Sequence, residues 1–105
     1  MKNSEDPMDK IKQRHRVLAI LRFLDRSPDY RTNIEVLSDW HAHLALSGSK
    51  DQLVQQCRAL ESVGFLKLSE LGEVVILALT EAGYDVARGM VFNDLVERPG
   101  LECPY

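Results

Sequence analysis

The sequence predicts an α+β fold that is mainly α, and three observations lead to this prediction. Apolar residues recur at helical spacing in the first quarter of the chain. Two segments that begin with helix-capping signals follow. The chain then changes to the alternation of a β-hairpin and returns to a capped helix. With 105 residues, of which 45% are hydrophobic, the chain fits one compact domain with a single core.

The first helix is predicted from about Asp9 to Arg26. Its apolar stripe recurs every three or four residues and consists of Val17, Ile20, Leu21 and Leu24. Residues 1–8 are polar, and we expect them to be flexible. Pro28 ends the helix, because proline lacks a backbone donor and disfavours the helical conformation in the residue before it.

Two further helices are predicted from a repeated spacing of polar residues. Thr32 and Glu35 stand three apart, as in a capping box, which predicts that a second helix starts there. Ser49 and Gln52 repeat this spacing and predict a third helix over residues 49–63. A short turn containing Gly48 lies between the two, as a helix-turn-helix requires.

The interior of this helix pair is predicted from its apolar residues. The third helix buries one stripe, formed by Leu53, Cys57 and Leu60. Trp40 is expected to lie in the core between the second and third helices, and not to act as a ligand platform. Gly64 follows the third helix, where a left-handed C-cap favours glycine.

The rest of the chain predicts a hairpin, a fourth helix and a tail. The segments "FLKLS" and "VVILAL" are typical of strands and are joined by a Gly-containing turn. Thr80 caps the last helix, which Gly89 closes. The order helix, helix, helix, strand, strand, helix predicts a winged helix-turn-helix over residues 9–89, followed by a tail over residues 90–105.

One segment, "LTEAGYDVARG", also resembles a known group of sequences. Together with the hairpin before it and the Arg98–Pro99 pair after it, this segment is similar to small proteins of Mu-like phages and prophages. Hairpins followed by "LTEAG" also resemble general winged-helix transcriptional regulators, in which they form the wing and the next helix. The resemblance covers roughly residues 16–100 and implies a winged-helix fold, a phage origin and a role linked to DNA.

The exposed side of the third helix has side chains that can contact double-stranded DNA. Glutamine pairs with adenine, and arginine and lysine pair with guanine. Backbone N–H groups at the helix start can hold a phosphate. The candidates are Ser49, Lys50, Gln52, Gln55 and Arg58. The same residue types are also ordinary on any solvated helix, so this alternative stays open.

Charge is unevenly distributed, although the net charge is −3. Residues 1–31 contain eight basic and five acidic residues, and residues 32–105 contain five basic and eleven acidic residues. Glu70 and Glu73 make the predicted wing acidic, which opposes phosphate contact.

The cationic ridge on and just after the first helix consists of Lys10, Lys12, Arg14, Arg16, Arg22, Arg26 and Arg31. From this ridge, Arg22, Arg26 and Arg31 are the predicted phosphate contacts. Arg22→Ala is therefore predicted to weaken binding to all DNA alike, and Gln55→Ala to change sequence preference.

Several other functions are not supported by the sequence. No P-loop, nucleophile elbow or paired carboxylate indicates an enzyme. His41 and His43 diverge on a helix, so neither a metal nor another cofactor is expected. No apolar run is long enough for a membrane span, and the N-terminus lacks a signal sequence, so a cytoplasmic protein is expected.

The sequence thus supports two functions from different classes. The first is a phage-type DNA-binding transcriptional regulator that places residues 49–63 in the major groove. The second is a winged-helix module that binds a phage or host protein through the cationic ridge or the tail, without binding DNA. The apolar tail either folds back on the first helix or forms a homodimer, which is the commonest oligomer.

Overall fold

The computed structural model describes residues 7–46 and 48–105, so part of the predicted flexible N-terminus, residues 1–6, lies outside the described residues. Eight elements follow one another in these ranges: α1 (Pro7–Arg26), a short 3-10 helix (Pro28–Tyr30), β1 (Arg31–Asn33), α2 (Ile34–His43), α3 (Lys50–Ser62), β2 (Leu66–Leu71), β3 (Val74–Leu79) and α4 (Glu81–Ala87). The predicted α+β, mainly α, architecture is confirmed. The first helix begins at Pro7, two residues before its predicted start.

The sheet has one strand more than the predicted hairpin. The strand order is β1-β3-β2, with both pairings antiparallel. In the β1 pairing, Thr32 lies opposite Leu77 of β3. The predicted capping box of Thr32 and Glu35 is therefore wrong, because Thr32 is extended in the sheet. Asn33 is the N-cap instead, and its Oδ1 accepts a hydrogen bond from the N–H of Val36 at 2.9 Å.

The start and end of α3 follow the predicted signals. Ser49 accepts a hydrogen bond from the N–H of Gln52 at 3.0 Å, and Gln52 Oε1 accepts one from the N–H of Ser49 at 3.1 Å. These two bonds form the predicted capping box. After the helix, Gly64 has φ of 86°, the left-handed conformation that glycine adopts without steric cost.

One threonine joins the end of α3 to the start of α4. The hydroxyl of Thr80 accepts a hydrogen bond from the N–H of Gly83 at 3.0 Å, as the predicted N-cap should. It also donates to the carbonyl of Gly64 at 2.6 Å. The two helix ends and the β-hairpin between them are thereby held together.

The core is centred on the second half of α1. Leu18, Ile20, Leu21 and Leu24 are each exposed by 1% or less. The neighbouring elements cover these residues with buried side chains that include Leu37, Leu53, Cys57, Leu60, Leu66, Leu77 and Val86. The apolar stripe of α1 could be predicted from the sequence because neighbouring elements cover this side of the helix.

The predicted position of Trp40 between α2 and α3 is wrong. Its ring stacks on Phe23 of α1 with centroids 5.8 Å apart, and on His43 at 5.2 Å. Trp40 is only half-buried. The histidine next to it, His41, is buried instead, with 3% of its surface exposed. His41 lies about 100° further around the helix than Trp40, and it is His41 that packs into the interior.

The tail folds back on α1, which is one of the two alternatives left open by the sequence. Val96 is 2% exposed and belongs to the core. The N–H of Glu97 donates to the carbonyl of Arg14 at 3.2 Å, and the two side chains form an ion pair at 3.4 Å. At the end of the chain, the hydroxyl of Tyr105 lies 2.7 Å from Nδ1 of His15.

Candidate nucleic-acid interface

The predicted reading side of α3 faces outward. Gln55 and Arg58 are exposed, on the side opposite the buried Leu53, Cys57 and Leu60. Within residues 7–46 and 48–105, Arg58 makes no ion pair and no side-chain hydrogen bond. Its guanidinium therefore keeps all its donors for an external acceptor, such as a base edge or a phosphate.

The first residues of α3 already have partners within the chain. The hydroxyl of Ser49 and the amide oxygen of Gln52 both serve as acceptors in the capping box. Lys50 pairs with Glu35 of α2, with Nζ and Oε2 2.5 Å apart. Both side chains of this pair are more than half exposed, so the pair stabilises the fold by less than about 1 kcal/mol. Even so, Glu35 offsets one of the cations expected at the helix start.

The cationic ridge is divided between two sides of the molecule. Its N-terminal part adjoins α3: Nε of Arg16 donates to the carbonyl of Leu46, just before α3, at 2.7 Å. Gln13 and Arg16 line a polar groove of about 260 Å³ between α1 and α3. The α3 side of this groove is formed by Gln52, Gln55, Gln56 and Ala59. The start of the ridge and the exposed side of α3 therefore border one surface.

The C-terminal part of the ridge contacts other elements. Nη1 of Arg22 donates to the carbonyl of Ala87, at the end of α4, at 3.4 Å. The guanidinium of Arg26 lies 5.9 Å from the centroid of the Trp40 ring. The structure thus places Arg22 and Arg26 against α4 and α2 and does not bring them to the groove beside α3. Arg31 is exposed on β1, an edge strand of the sheet.

The wing is acidic at its tip, as the sequence predicts. The β2–β3 hairpin turns at Gly72, whose φ is 63°, and both Glu70 and Glu73 are exposed. Leu71 projects there with 73% of its surface exposed. One base of the wing, Lys67, is exposed further from the turn. Such a tip repels phosphates within about one Debye length, roughly 8 Å at physiological salt.

The outer edge of β2 is linked to α3 through a carboxylate. Oε2 of Glu61 accepts a hydrogen bond from the backbone N–H of Leu68 at 3.0 Å. Because β3 lies on the other side of β2, this N–H points away from the hairpin partner. The acid on α3 thus links the wing to the helix.

Sequence reasoning did not place two residues that border α3. Gln13 was not among the predicted site residues, and Arg16 was counted only as part of the ridge. The usable signal is their spacing from the buried stripe of α1, since Gln13 precedes buried Val17 and Ile20 by four and seven residues. The spacing does not show which helix packs beside Gln13 and Arg16, because that depends on tertiary structure.

Among the residues that the structure describes, no three His, Cys, Asp or Glu side chains converge in a way that could hold a metal ion. Within the same ranges, none of the helices has the length and apolar character needed to cross a membrane.

The element order and the sheet make this a winged helix-turn-helix fold. No protein-family model matches the sequence, and no curated protein matches it. A similar solved structure is that of Sco3205, a MarR family transcriptional regulator from Streptomyces coelicolor, in complex with DNA. The TM-score is 0.61 at 20% sequence identity, over 76% of this chain and 51% of the other. The chain thus spans about half the length of that regulator, and the similarity establishes the fold.

Proposed function

We propose that this chain is a DNA-binding transcriptional regulator of phage type that places α3 in the major groove. The observation that carries the proposal is the outward side of α3, where Gln55 and Arg58 are exposed and Arg58 has all its donors available. A solved structure with the same fold is that of a transcriptional regulator in complex with DNA, which supports this function.

The proposed contacts follow from the surroundings of each side chain. Gln55 and Arg58 read base edges, since both can form bidentate pairs with purines. The start of α3, with Ser49, Lys50 and Gln52, lies against the phosphates. Arg31, which is exposed on the edge strand β1, is proposed to contact a DNA phosphate as well. The groove beside α3 adds Arg16, whose guanidinium is oriented by the carbonyl of Leu46.

A homodimer is part of the proposal. Two copies would double a cation count that is low for one DNA-binding domain, and a two-fold pair would present two α3 helices to successive turns of DNA. The tail supplies exposed apolar residues for such a contact, among them Met90 and Phe92, which are 62% and 60% exposed. Sedimentation equilibrium of the full chain tests this step, and a monomer at every concentration contradicts it.

The experiment is a titration of a fluorescent mixed-sequence duplex at several salt concentrations. We expect affinity to fall with salt, and Arg58→Glu to weaken binding at least about tenfold and to lower the salt slope by about one. Arg98→Glu, the same charge change on the tail, is the matched control and should retain the wild-type slope. Absence of salt-dependent binding by the wild type contradicts the proposal.

The acidic wing favours a second function, that of a protein-binding module. Glu70 and Glu73 at the tip and the Lys50–Glu35 pair both reduce the attraction for phosphate. In this case the cationic ridge or the tail contacts a phage or host protein. The duplex titration distinguishes the two functions, because such a module shows no salt-dependent affinity and is unaffected by Arg58→Glu.

A further inference from the structure

Two polar atoms at the joint between α1, α2 and α3 are buried without a partner. They are Nε2 of His41 and Oε1 of Gln56, and neither has a hydrogen-bond partner among the described residues. His41 is 97% buried by surface area. A buried polar atom that lacks a partner costs about 1 to 3 kcal/mol, so two of them at one place need an explanation.

Both residues line one small cavity. It has a volume of about 10 Å³ for the centre of a water-sized sphere, close to the lower limit for holding one water molecule. Each of the three helices contributes polar residues to the wall: Arg16 from α1, Ser38 from α2, and Gln52 and Gln56 from α3. A larger ligand does not fit this volume, and an apolar one would leave the two atoms unpaired.

We infer that this cavity is a binding site for a single structural water, which hydrogen-bonds Nε2 of His41 and Oε1 of Gln56. A water molecule both donates and accepts, so it satisfies His41 in either tautomer and Gln56 in either orientation of its amide. Two to four polar partners are typical of buried water, and this cavity supplies them. The water joins the supporting helix α2 to α3 at the turn of the helix-turn-helix.

The direct test is a crystal structure of the full chain at a resolution that shows ordered solvent. The result expected is a density peak within hydrogen-bond distance of both His41 Nε2 and Gln56 Oε1. The inference is overturned if no peak is present there, or if the two side chains bond each other directly.

A matched pair of variants gives an independent test through the sign of a stability change. If the water is bound, Gln56→Leu removes one of its partners and lowers the folding equilibrium constant roughly five- to tenfold. If the cavity is dry, the same substitution removes an unpaired acceptor and raises that constant. Gln55→Leu, the same change one residue earlier on the exposed side, is the control for loss of helix propensity and solubility. Urea unfolding measures both variants, and an increase for Gln56→Leu relative to Gln55→Leu overturns the inference.

Discussion

The α-carbon of Gly83 lies against the backbone carbonyl of Phe65, so closely that a Cβ atom on Gly83 would come within 2.0 Å of that oxygen. The same carbonyl accepts a hydrogen bond from the N–H of Thr80 at 3.2 Å. The first turn of α4 is therefore packed directly on the backbone that leads from α3 into β2. Only glycine permits this approach, because the obstructing atom is backbone and cannot rotate away.

Gly83→Ala should destabilise the fold strongly. The added methyl group would force α4 away from Phe65, a cost of at least about 3 kcal/mol, since overpacking against backbone exceeds the usual range for cores. Gly100→Ala is the matched control, because a Cβ there meets no atom within 4 Å. Urea unfolding checks both variants, and equal midpoints for the two would show that α4 does not need this contact.

The stability of the fold should depend on pH through His41. Burial and, to a smaller extent, the nearby positive charge of Arg16 together lower the pKa of His41 from 6.5 to about 4. The unfolded chain therefore takes up a proton on His41 below about pH 6.5, whereas the folded chain resists protonation down to about pH 4. The free energy of unfolding should be highest above pH 6.5 and should fall by about 3 kcal/mol between these two values.

The surroundings of His41 make this assignment testable. Among the described residues that line its cavity, Arg16 is the charged group and no carboxylate is present to stabilise a protonated imidazole. His41→Gln should flatten the fall between pH 6.5 and 4, as measured by urea unfolding at each pH. The control is His43→Gln, because His43 lies two residues further along α2 and is exposed. Should both variants retain the wild-type pH profile, another group is responsible.

The two thiols should differ in reactivity. Burial raises the pKa of Cys57 to about 12, so its reactive thiolate is scarce at neutral pH. Cys103 is half-buried in the tail and is more accessible. Alkylation of the native chain, followed by mass spectrometry, should modify Cys103 well before Cys57. In denaturant the two should react together, and faster native modification of Cys57 would contradict its placement in the core.

Arg22 allows two roles to be separated by experiment. The sequence suggests a phosphate contact, whereas the structure places its guanidinium against the carbonyl of Ala87 and buries Nε. We expect Arg22→Ala to lower stability by about 1 to 2 kcal/mol, through loss of a charge-assisted bond and of packing on α4. Duplex affinity should stay within about twofold of wild type. A drop in affinity at every sequence, with a smaller salt slope, would instead support the phosphate contact.

The local elements could be predicted because their determinants are close together in the sequence. The capping box of Ser49 and Gln52, the left-handed Gly64 and the cap at Thr80 each depend on groups a few residues apart. The β-hairpin is also local, since its two strands are joined by a tight turn at Gly72 and Glu73. These are the features that the sequence analysis placed correctly.

The features that sequence analysis missed depend on distant partners. Strand β1 has only three residues, and it is defined by pairing with Ile76, Leu77 and Ala78 more than 40 residues away. This pairing extends Thr32 and shifts the helix cap to Asn33. Likewise, the stripe on α1 predicts which side is buried, but not that Arg22 contacts the end of α4 or that Arg26 lies beside Trp40. The candidate site was therefore predicted on α3 and only in part on α1.

The carboxylate of Glu61 has a consequence for the free edge of the sheet. A strand that approached β2 from outside would need the outward N–H of Leu68, which is already bonded to Glu61 at 3.0 Å. Such a strand would have to displace the acid before a ladder bond to Leu68 could form. Glu61 thus opposes the pairing of a second strand at this one position of the edge, with a side chain from the helix that is proposed to contact DNA.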